Sequence, residues 1–72
     1  MVDRKHLQEH LAQAERHVAQ GEQHVARQEE LVRELERDGH DTAAARKLLA
    51  QFGEMLALHR ADRDRILKEL EG

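Results

Sequence analysis

Six histidines, at positions 6, 10, 17, 24, 40 and 59, are the residues of this 72-residue chain best suited to chemistry. An imidazole ligates borderline metals and changes its charge near neutral pH, so the spacing of these side chains decides what they can do together. His10, His17 and His24 recur every seven residues, the last two within the near-repeat AERHVAQ-GEQHVAR of residues 14–27. Seven helical residues rise about 10.5 Å, too far for one ion to bridge two of these rings. His6 and His10 stand one helical turn apart on one face, and Glu69 can supply a third ligand if a second helix folds back alongside. His6, His10 and Glu69 are thus the candidate metal set, and a histidine-based metal or pH sensor is one function open to the chain.

No enzyme constellation accompanies them. The chain has neither cysteine nor serine, no glycine-rich phosphate loop, and neither an H-E-x-x-H nor a Glu-x-x-His pair. Its one threonine, Thr42, is accounted for by a helix start. No catalytic residue and no cofactor are expected, and the chain is read as non-enzymatic.

The histidine period belongs to a longer pattern. Leu11, Val18, Val25 and Val32 occupy one column (a), and Leu7, Ala14, Gly21, Gln28 and Leu35 another (d), with alternating spacings of four and three. This is the signature of a helix packed along its length against a second. His10, His17 and His24 precede the a column, so they flank a seam; Gln8, Glu15, Glu22, Glu29 and Glu36 follow the d column on the other side. Asp38-Gly39-His40-Asp41 breaks the pattern: glycine suits the position just past a helix end, and Asp41 can cap a new start. Beyond it the period resumes, with Leu49, Leu56, Arg63 and Leu70 at a, and Ala45, Phe52, His59 and Ile66 at d.

The expected fold is all-α, one domain over residues 1–72, with helix 1 about 3–37, a turn over 38–41 and helix 2 about 42–70. A turn there makes facing residue numbers in the antiparallel pair add to about 77, so that Gly21 faces Leu56, Val25 faces Phe52 and Ala14 faces Arg63. On the flanks this places Glu29 by Arg46, Glu15 by Arg60, His17 by Asp62, His10 by Glu69, His24 by Met55 and Leu31 by Leu48. His59 and Arg63 put polar groups into the seam, where they can fix register at some cost in stability.

Composition narrows the function classes. The formal charge of −3 gives no gross basic footprint, so nucleic acid is not an expected partner. No apolar run approaches a membrane span and MVDRKHLQEH is too polar for a signal peptide, which makes the cytoplasm the expected location. A chain this short cannot supply much core alone, so self-association is expected. Leu31, Leu48, Met55, Leu58 and Leu67 are apolar residues outside the seam, and two hairpins closing over them would make a two-fold, coiled-coil-like four-helix bundle. Leu31, Leu48, Phe52 and Met55 are the candidate dimer interface.

The stretch AERHVAQGEQHVARQEELVRELERDGHDTAAARKLLAQF, followed by HRADRDRIL, resembles short helical-hairpin proteins of soil alphaproteobacteria with HVA heptad repeats and an ERDGHDT turn. That resemblance implies a natural cytoplasmic protein and carries no activity, cofactor or site residue across. In size and topology alone the chain also resembles the RNA-binding hairpin dimer Rop, with Arg16, Arg27, Arg33, Arg37, Arg46, Lys47, Arg60, Arg65 and Lys68 as cations; acids interleave them, which counts against that reading. The leading expectation is a small homo-oligomeric interaction or scaffold protein.

Overall fold

The computed structural model describes residues 3–72 and contains two α-helices, α1 (Arg4–Arg37) and α2 (Ala43–Glu71), joined by a short turn. Residues 1 and 2 of the expected domain lie outside the described part. The helices run antiparallel as a rod of 56 × 14 × 14 Å with a radius of gyration of 16.4 Å. No helix among the described residues is long and apolar enough to cross a membrane.

Each helix begins and ends where local chemistry dictates. Asp3 opens α1: its side chain accepts the Lys5 N–H at 3.3 Å and its carbonyl accepts the Leu7 N–H at 3.1 Å. At the other end the His40 N–H donates to the Leu35 carbonyl at 2.8 Å and the Gly39 N–H to the Glu36 carbonyl at 3.1 Å. That is the paired closure of a Schellman motif, and Gly39 holds the left-handed conformation it requires, φ 75°. The turn is one residue longer than expected, because α2 starts at Ala43 and not at Thr42. Asp41 still serves the start, its Oδ1 accepting the Ala43 N–H at 3.0 Å, while Thr42 Oγ1 accepts from Arg46 Nε at 3.0 Å.

The seam is as the heptads place it. Every a and d residue named above is buried or half-buried, and among the other described residues only His17 and Thr42 are less than exposed. The register is fixed at mid-hairpin, where a Cβ built on Gly21 would stand 3.0 Å from Leu56 Cδ1. A side chain there would press against Leu56, so the glycine sets how closely the helices approach. Gln28, 8% exposed, reaches across to the Ala45 carbonyl at 3.0 Å. Within α2 that carbonyl receives the N–H of the residue one turn on, Leu49, which the facing sum of 77 sets opposite Gln28; the amide has found the polar atom at its own level. Ala14 is only 3% exposed although it faces Arg63, whose head turns outward to Asp64 with Nε 3.1 Å from Oδ1. An arginine can cover apolar surface with its stem and keep its charge in water. At the open end Arg4 Nη1 donates to the Leu70 carbonyl at 3.2 Å and ties the two termini of the hairpin together.

Candidate functional site

The two flanks of the hairpin differ in kind, and the difference defines the candidate site. On one flank the glutamates that follow the d column of α1 meet the arginines in the corresponding column of α2: Arg46 pairs with Glu36, and Arg60 Nη2 with Glu22 Oε2 at 3.2 Å. These are not the expected pairs. Each arginine takes the glutamate one heptad nearer the turn than Glu29 and Glu15. The reason is the tilt of Cα–Cβ bonds toward a helix's own N-terminus: on α2 the arginines lean toward the turn, on α1 the glutamates lean away from it, and the two converge.

The opposite flank carries histidine and apolar groups. Leu31, Leu48 and Met55 are 42%, 40% and 56% exposed, all at positions that precede the a column. Of these, Met55 also lines an apolar cleft of about 270 Å³, together with His17, Gln20, Gly21, His24, Phe52 and His59. His24 meets Phe52 edge to face with ring centres 5.6 Å apart, and Met55, its expected neighbour, lines the same cleft. Phe52 is half-buried, so the hairpin's own seam already uses part of the ring expected at a dimer interface. Leu58 and Leu67 do not join this flank. Leu58 lies among Ala61, Asp62 and Arg65 around the outside of α2, and Leu67 follows Ile66 in the column of Arg46 and Arg60. At 100° per residue, five apolar residues in three different columns cannot make one face.

The histidines arrange themselves otherwise than their columns suggest. His17 does not pair with Asp62, which is held by Arg65 one turn along α2. The guanidinium is permanently charged and local, so it wins the carboxylate. His17 turns instead to His59, with ring centres 5.0 Å apart and planes 48° to each other. Nothing in the column pattern marked this pair; the signal was that His17 immediately precedes Val18, the residue facing His59. His10 and Glu69 line one cleft with Asp62 and Arg65, without an ion pair among the described residues. His6 and His10 approach edge to face at 5.9 Å, both exposed. Among the described residues no three histidine, aspartate or glutamate side chains gather into a metal-binding group, so His6, His10 and Glu69 are not assembled as one. Ligands at the two ends of separate exposed side chains need a common point, and sequence spacing alone does not create it.

No family model, no curated protein and no solved structure matches the chain. What the site can do therefore rests on its own geometry. One flank is closed by ion pairs, and the other offers aliphatic and aromatic surface with imidazoles at its edge.

Proposed function

We propose that the protein is a non-enzymatic helical interaction module that works as a homodimer, two hairpins closing over the Leu31, Leu48, Phe52 and Met55 flank into a four-helix bundle. The exposed row of Leu31, Leu48 and Met55 beside Phe52 carries this reading. Large apolar side chains left exposed along one flank, with polar residues around them, mark an interaction surface. Surface area points the same way: the hairpin exposes 5725 Å², against roughly 4,600 Å² for a compact monomer of 8.4 kDa. The excess, roughly 1,100 Å², is of the order of the about 800 Å² each partner buries in a standard interface. A second copy suits the strip because both copies bring the same aliphatic groups, and a two-fold contact of self-complementary patches closes without leaving an edge.

The Rop-like reading has less support. Arg46, Arg60 and Arg65 each stand beside a carboxylate, so acids interleave these cations where a phosphate backbone needs an unbroken cationic face. The test of the dimer is the molar mass of the wild-type chain and of the Leu48→Glu, Met55→Glu double variant in sedimentation at micromolar concentration. The cytoplasm remains the proposed location, and the likeness to alphaproteobacterial hairpins with HVA repeats supports a bacterial protein of this plan.

A further inference from the structure

We propose that His17 and His59 form a two-imidazole chelate for a borderline divalent metal such as Zn²⁺, Ni²⁺ or Cu²⁺, clamping α1 to α2 at the middle of the hairpin. The site differs from the one the sequence suggested, and both ligands come from one chain; Phe52 and Met55 of the proposed dimer flank line the same cleft, so a second hairpin would close beside the site.

Geometry carries the assignment. With metal–nitrogen bonds of about 2.0 to 2.1 Å and each ring centre about 1.1 Å behind its nitrogen, two imidazoles bound at a tetrahedral angle hold their centres about 5.2 Å apart. The centres of His17 and His59 are 5.0 Å apart. The terminal torsion of histidine is broad and soft, so it can turn a nitrogen of each ring toward a common point while leaving the ring centres nearly where they are. Both residues are half-buried, and no hydrogen bond among the described residues uses a ring nitrogen of either. Their lone pairs are therefore available without breaking a contact.

The surroundings favour this pair over the other. His6 and His10 are exposed in the opening turns of α1, on one helix, with centres 5.9 Å apart. His17 and His59 stand on two helices whose spacing is fixed one turn away by Gly21 against Leu56, so little ordering remains to be done on binding. The ligand type selects the metal: neutral imidazole suits zinc, copper and nickel better than magnesium or calcium, and the acids that share a cleft with His17 are Asp62 and Glu69. Asp62 is the nearest acid in sequence on α2, and Arg65 already holds it. In the single hairpin the remaining coordination positions would be left to water, which would make the site weaker than a four-ligand structural zinc site and exchangeable.

Because the two ligands come together only in the folded hairpin, metal binding is folding energy. The folding equilibrium constant should rise about tenfold for each tenfold increase in free metal above Kd, the slope of a single site. The experiment is chemical denaturation of the tag-free chain with and without NiCl₂, in wild type, His17→Gln, His59→Gln and the His6→Gln, His10→Gln double variant. Mass is followed in parallel by sedimentation. The expected result is a nickel-dependent gain in stability with that slope, reversed by EDTA, lost in His17→Gln and in His59→Gln and kept in the double variant. No gain in wild type, a gain that survives both single variants, or a gain lost only in the double variant overturns the assignment. A gain that appears only with nickel-induced doubling of mass also overturns it, since the ion would then join two chains. Should a single variant fail to fold, Ni²⁺ broadening of the ring-proton resonances in wild type decides: selective broadening of His17 and His59 supports the chelate, and broadening confined to His6 and His10 refutes it.

Discussion

At the scale of single residues, two glycines in similar helical settings have opposite meanings. Glycine inside a helix costs about 1 kcal/mol relative to alanine, so each needs a packing reason or is a defect. Gly21 has the reason: a Cβ there meets Leu56 Cδ1 at 3.0 Å, and Leu56 is buried. Nothing lies within 4 Å of a Cβ on Gly53. Gly53→Ala should therefore stabilise the hairpin by about 0.5 to 1 kcal/mol. Gly21→Ala should gain clearly less, because the same propensity term is offset by displacement of Leu56. Denaturant midpoints of the two variants check this, and equal gains would show that the close approach at Gly21 is unimportant. Gln28 illustrates a different balance. Its amide donates to a carbonyl that the helix already satisfies, so Gln28→Leu loses one modest bond and gains apolar burial; stability should stay within about 1 kcal/mol of wild type.

At the scale of elements, the turn and the charged flank make unequal contributions. Gly39 at φ 75° closes α1, and an alanine there must adopt a left-handed conformation costing about 1 to 2 kcal/mol. Gly39→Ala should lower stability by that amount in the same denaturation assay, whereas the Arg46→Ala, Arg60→Ala double variant should lose less than about 1 kcal/mol, since both pairs are about half exposed and screened by salt. The helices and their seam were legible in the sequence because a helix buries a fixed stripe: a period of three and four names the inward columns, and all of them are inward here. The partners of long flank side chains were not legible. A column states the direction a residue faces around the helix, but Arg46 and Arg60 choose partners by their lean along it, which shifted both ion pairs by one heptad toward the turn. His17 escaped for a related reason, since a neighbouring arginine competed for the aspartate that the column arithmetic assigned to it.

At the scale of the whole molecule, the hairpin is long and thin. Its core consists of Ala14, Val18, Val32, Leu56 and Ile66 with Gln28, and among the described residues no side chain is more than 98% buried. One seam of this kind supplies few kilocalories, so the exposed Leu31, Leu48 and Met55 flank is where further apolar burial is to be found. Substituting glutamate at Leu48 and Met55 leaves the seam columns untouched and places charge where the second hairpin would bury it. Stability should then become independent of protein concentration, as expected when the folded state no longer draws on association. The most direct measurement is sedimentation equilibrium of the wild-type chain across the micromolar range, beside the Leu48→Glu, Met55→Glu variant. The dimer predicts a wild-type mass of twice 8.4 kDa and a variant that is helical with the mass of one chain; a wild-type chain that stays at 8.4 kDa throughout would contradict it.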